Sequence, residues 1–139
     1  MSLTYSQARD EMLALIKTAW DTTTFPMLWQ DKPEEKPPTR TPWARTTLRH
    51  TGGGQASLVS FNGVSRFNRE GIITVQVFTP SGEGLSRGYN LCKVISDVFE
   101  GAVTAGGVWF TNTTLTEVGQ DGDWFQINVN TDFNYDELK

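Results

Sequence analysis

One histidine and one cysteine are all that this chain of 139 residues offers of the side chains that most often hold metals or act as nucleophiles. Cys92 has no second cysteine, so an internal disulfide is excluded. It shares a helical stripe with Leu85, Ile95 and Phe99, which predicts a small buried hydrophobe in a reducing compartment rather than a reactive thiol. His50 alone cannot supply a zinc site or a catalytic triad. Asp121 and Asp123 look like paired carboxylates, but Asp121-Gly122 is turn chemistry and lacks the pattern of a calcium loop. No catalytic, cofactor-binding or metal-binding residue is therefore expected, and the chain does not read as an enzyme. Apolar runs of about eighteen residues are missing, which removes a membrane-spanning helix. The opening MSLTYSQARDEM lacks the basic-then-apolar order of a secretory leader.

A basic excess is missing too. The net charge is −4, and it is unevenly spread. Residues 101–139 carry Lys139 against Glu117, Asp121, Asp123, Asp132, Asp136 and Glu137. General nucleic-acid binding wants a basic face, so sequence-specific nucleic-acid recognition is not expected. Solvation is the ordinary role of such charges; a complementary protein surface is the other. The length suits one domain, residues 1–139, able to bury roughly two thirds of its unfolded surface. Hydrophobic residues make up only 37%, but five tryptophans and eight phenylalanines add bulk. Trp43, Trp109 and Trp124 are expected to fill core space, with stacking on bases or sugars as the alternative use.

What is present is clear periodicity. Thr4 and Gln7 form a capping box for a helix ending near Trp20, with Ala8, Met12, Leu15, Ile16 and Ala19 as its buried stripe. Phe25 to Trp29 reads as a short strand, and residues 30–42, with four prolines, as a stiff connection. Trp43 to His50 reads as a strand. Gly52, Gly53, Gly54 and Gln55 then open an expected mobile loop running to Ser65, with a turn at Asn62-Gly63. From Arg66 onward a long strand puts Ile73, Val75, Val77 and Thr79 on a drier face and Ile72, Thr74, Gln76 and Phe78 on a wetter one. Pro80 stops it. A second helix spans about Leu85 to Phe99, with Leu91, Val94 and Val98 beside its main stripe and Gly101 as a left-handed cap. Val108–Val118 and Asp123–Asp132 read as a hairpin joined through Gly119–Gly122, and Asp132, Asp136 and Glu137 as lying near a frayed terminus. The order predicts an α+β fold, a single mostly antiparallel sheet with two helices packed on one face. Val75, Val77, Ile95, Phe99 and Ile127 are expected in its core.

The glycines Gly82, Gly84 and Gly88 between strand and helix suggest a phosphate-cradling turn. Their spacing misses G-x-G-x-x-G, no Lys-Ser or Lys-Thr follows, and the half-polar strand does not suit a parallel nucleotide-binding sheet. A flexible strand-to-helix connection is the expected reading, and a small-ligand or nucleotide domain the remote one.

Taken in order, SQARDEMLALIKTAW, the short strand near PMLW, Pro42-Trp43-Ala44-Arg45, REGIITVQVFTPSGEGL and GDWFQINVNTDFNYDE resemble the phage tail terminator family, which includes the lambda-type minor tail protein U. The likeness spans almost the whole chain, though none of its motifs is catalytic. It implies a structural tail protein of a phage or prophage, assembled in the bacterial host cytoplasm and carried in the virion tail. It also implies a ring, usually hexameric, that caps the tail tube, stops tube polymerisation and offers a surface to the head-tail connector protein. The implied partners are copies of itself, the tail tube protein and the connector, with no cofactor and no membrane. A tail tube or connector subunit is the runner-up. Subunit contacts are expected between an arginine-bearing edge, Arg45, Arg49, Arg66 and Arg69, and the acidic hairpin of a neighbour, Asp121, Asp123 and Asp132.

Overall fold

The computed structural model describes residues 3–30, 41–55, 65–82 and 85–139, except the side chain of Asp121. Helix α1 is Tyr5–Trp20, followed by a 3-10 turn at Asp21–Thr23. The strands are β1 Met27–Trp29, β2 Trp43–Gln55, β3 Arg66–Pro80, β4 Trp109–Asp121 and β5 Trp124–Leu138, with helix α2, Ser86–Phe99, between β3 and β4. All five strands form one sheet in the order β1-β2-β3-β5-β4. Only β1–β2 is parallel; the other three pairings are antiparallel. Both helices pack on the same face, so the expected α+β architecture is the observed one.

Local chemistry explains the boundaries. The Thr4 hydroxyl accepts from the Gln7 amide, and the Gln7 side chain accepts from the Thr4 amide, so α1 starts with both orphan donors satisfied. At its far end the Trp20 indole donates to the Phe25 carbonyl at 2.8 Å, and Thr24 takes a left-handed φ of 65°. That pairing folds the chain back into β1. Gly101, with φ 76°, follows α2 as the expected left-handed residue.

The core lies between the helices and the inner sheet face. Ala8, Met12, Ile16 and Trp20 from α1 and Leu91, Cys92, Ile95 and Phe99 from α2 meet Ile73, Val75, Val77, Ile127, Val129 and Phe133. The five residues expected in the core are all buried. Leu85 is not: α2 begins one residue later, and Leu85 is 37% exposed.

Three expectations about element ends are corrected. Gly52 to Gln55 are strand, not loop: they pair with Glu70, Arg69, Asn68 and Phe67 across a bulge between His50 and Gly52. Gly53 serves the ladder. Gly53 has φ 141°, and a Cβ there would collide with the Asn68 carbonyl. Residues 56–64 of that expected loop, with Asn62-Gly63, lie outside the described residues, and Ser65 pairs with Lys139. The hairpin turn is two residues, Gly122-Asp123, because Asp121 already pairs with Trp124. And Asp132, Asp136 and Glu137 are not frayed: β5 runs to Leu138, every residue from Arg66 to Pro80 pairing with it.

Candidate assembly interface

The outer sheet face, which no described helix covers, is built in rungs. Arg49, Ile72 and Asp132 form one row across β2, β3 and β5; Thr47, Thr74 and Asn130 the next; Arg45, Gln76 and Asn128 the third; Trp43, Phe78 and Gln126 the last. Side chains bond along and between these rows. Arg45 Nε donates to Gln76 at 2.6 Å, Thr74 to Asn130 at 3.0 Å, Asn130 to Thr116 at 3.2 Å, and Gln126 to Asn128 at 2.8 Å. One end of this face is dry: Trp43, Phe78 and Trp124 form a second small cluster, with Trp43 stacked on Phe78 at 4.1 Å. Trp43 and Trp124 thus fill core space as expected, whereas Trp109, at 38% exposure, does not.

The expected arginine edge is split by the structure. Arg66 and Arg69 lie on β3, the central strand, and meet acids of their own chain: Arg66 faces Asp136 at 3.8 Å and Arg69 faces Glu137 at 3.0 Å. Arg66 with Asp136 sits on the outer face, Arg69 with Glu137 on the inner one, because side chains alternate along β3 and β5. Arg45 is held by Gln76 and lies over the Trp43 and Phe78 rings. Arg49 is exposed on β2. Of the acids, Asp132 accepts from Asn112 at 2.9 Å, and Asp123 is exposed at the hairpin turn.

Two edges of the sheet stand open among the described residues, and they differ. β1 covers β2 only from Ala44 to Thr46. The Gln30 side chain then takes the next position, its Oε1 accepting from the Leu48 amide at 3.0 Å. Beyond it β2 has no described neighbour on that side. The opposite edge, β4, exposes Leu115 and Val118 and carries two register shifts, between Thr111 and Thr114 and between Glu117 and Gly119. Such bulges discourage unselective edge pairing. Tyr89 of α2 donates to Glu117 of β4 at 2.7 Å, and that bond raises the tyrosine pKa.

A cavity of about 880 Å³ opens at the β2 edge, lined by Tyr5, Ser6, Arg9, Gln30, Leu48 and His50. At its rim the His50 ring meets Tyr5, Phe133 and Tyr135 edge-on and bonds the Tyr135 hydroxyl at 2.8 Å. Burial, and then the nearby Arg69 charge, lower the His50 pKa. Burial pushes Tyr135 up to about 12. Arg9 reaches the Gln30 carbonyl through Nη2 at 3.4 Å, while its buried Nη1 has no hydrogen-bond partner among the described residues. Neither Arg9 nor Gln30 stands out in the sequence, since their meeting depends on where β1 ends beside β2.

The nucleotide alternative gains little from the geometry. Gly88 lies inside α2, facing Thr79 and Ile127, so its missing side chain serves helix-to-sheet packing; Gly84 lies outside the described residues. Cys92 is buried, and burial pushes its thiol up to about 12. Among the described residues no cluster of three or more His, Cys, Asp or Glu is placed to hold a metal, and no helix is long and apolar enough to cross a membrane.

No family model matches the chain, and no curated protein does. Solved structures do match. One whose name states no function is 16% identical, with a TM-score of 0.71, covering 96% of this chain and 96% of that one. At that identity the likeness shows a shared fold.

Proposed function

We propose that this chain is a structural phage or prophage tail protein that forms a ring on the tail tube, ends tube polymerisation and presents the surface that the head connector meets. The observation that carries this reading is the pair of unlike edges that stand open among the described residues on opposite sides of one sheet. Contact between two different patches is heterologous, and heterologous contacts close into a ring where the rotation between successive copies closes. The ordered resemblance to tail terminators supplies the biological setting. Deleting the gene from the phage or prophage that carries it is expected to give tails of uncontrolled length. Purified protein added back is expected to restore uniform tails, with antibody label at one tip. Label repeated along the tube would favour a tube subunit instead; tails of normal length without the protein would rule the terminator reading out.

A further inference from the structure

We propose that the groove at the open edge of β2 receives the acidic tip of the β4–β5 hairpin, Asp121-Gly122-Asp123, from a second copy of this chain; the inference rests on the ring reading above. The groove has two sides. The larger cavity, with Arg9 in its wall, shares Gln30 and Leu48 with a smaller one of about 280 Å³ that Arg49 lines. An acidic group entering at Gln30 therefore meets one guanidinium on the inner side of the sheet and one on the outer. Arg9 brings a buried N–H that nothing among the described residues satisfies. A buried unmet donor is costly, and a carboxylate is the acceptor that a guanidinium bonds most strongly. The other candidate arginines are already engaged: Arg69 with Glu137, Arg66 with Asp136, and Arg45 with Gln76.

The tip suits the groove in shape and charge. Its two-residue turn is held in place, because the Asp123 backbone carbonyl accepts from the Ser81 amide at 2.8 Å and Gln120 donates to the Gly122 carbonyl at 3.2 Å. Little ordering is lost on docking. It belongs to the segment from residue 101 onward, which carries six acids against one lysine. The tip cannot reach the groove of its own chain: β3 and β5 lie between β2 and β4, a separation of roughly 10–15 Å. Each copy thus carries one groove and one tip on opposite sides, which is what a head-to-tail ring requires.

The test is sedimentation of the purified chain at low salt and high concentration, where charge-assisted contacts are least screened. Wild type is expected to associate, and Arg9→Ala and Asp123→Ala each to weaken association at least about tenfold. Mixed together, these two variants are expected to form a one-to-one dimer and nothing larger, because only one intact groove and one intact tip remain. Arg49→Ala and Asp123→Asn, both at exposed positions, serve as the check where Arg9→Ala lowers stability. Association unchanged in all the variants, or a mixture that stays monomeric, would overturn the groove. So would wild type that never associates, and tail-length control by the same protein would then show that the ring reading survives without it.

Discussion

The two faces of the sheet use the same strands in opposite ways. On the inner face, Ile73, Val75, Val77, Ile127 and Val129 are chosen by volume, and α1 and α2 seal them from water. On the outer face, Thr74, Gln76, Gln126, Asn128 and Asn130 are chosen by donor and acceptor, and they bond to one another and to Arg45 and Thr116. Cores lose stability when volume is removed, whereas partly wet hydrogen bonds return little net energy. The covered face therefore accounts for most of the stability, and the open face is free to be selected for contact.

Truncations test that division most directly. Phe99→Ala, in the covered core, should cost about 3–5 kcal/mol in urea unfolding. A loss below about 1 kcal/mol would mean that α2 packs on another stripe. Trp124→Ala, in the dry corner of the outer face, should cost about 3 kcal/mol, the low end for an aromatic, since Trp124 keeps some exposure. A cost equal to that of Phe99 would make the corner a second full core. Gly53→Ala should lose more than about 1 kcal/mol, because it demands a left-handed φ and displaces the Asn68 carbonyl. A neutral result would place Gly53 outside the ladder.

His50 gives a smaller, pH-dependent effect. Its pKa in the fold lies below the ordinary 6.5, so the unfolded chain binds its proton more readily. Stability should therefore be complete above pH 6.5 and decline as the pH falls through 6.5 toward the lowered value. Thermal melts at mildly acidic and neutral pH should show this dependence, and His50→Asn should reduce it. The smallest change belongs to Thr74→Ala on the open face, at about 0.5–1.5 kcal/mol for one hydrogen bond. A loss comparable with Phe99→Ala would overturn the division between the faces.

The sequence made the covered face legible because burial writes a period into it. The alternation along β3 and the capping box at Thr4 are local signals. The structure bears out the box, and the alternation from Gly71 to Val77. Phe78, expected on the wetter face, is buried in the dry corner with Trp43 and Trp124. Pairing is not local. Nothing in Gly52-Gly53-Gly54 distinguishes a loop from a strand whose partner backbone approaches too closely for a side chain at Gly53. Asp132, Asp136 and Glu137 look solvated when read in sequence, yet Ile72, Asn68 and Phe67 of β3 stand opposite them. The candidate groove was hidden for the same reason: Arg9 and Gln30 are separated by a helix and a turn, and only the parallel register of β1 on β2 brings them together.

The position of β5 between β3 and β4 also governs how the chain emerges during synthesis. Residues 124–138 leave the ribosome after the other elements described above, yet they belong in the interior of the sheet. Until then β3 has one long side unpaired and β4 has no neighbour to join, so neither helix has a complete surface to rest on. Assembly of the sheet waits on contacts far apart in sequence, a slow and aggregation-exposed route. A nascent or truncated chain ending at the hairpin turn would present β3, with its Ile73-Val75-Val77 face, to any passing strand.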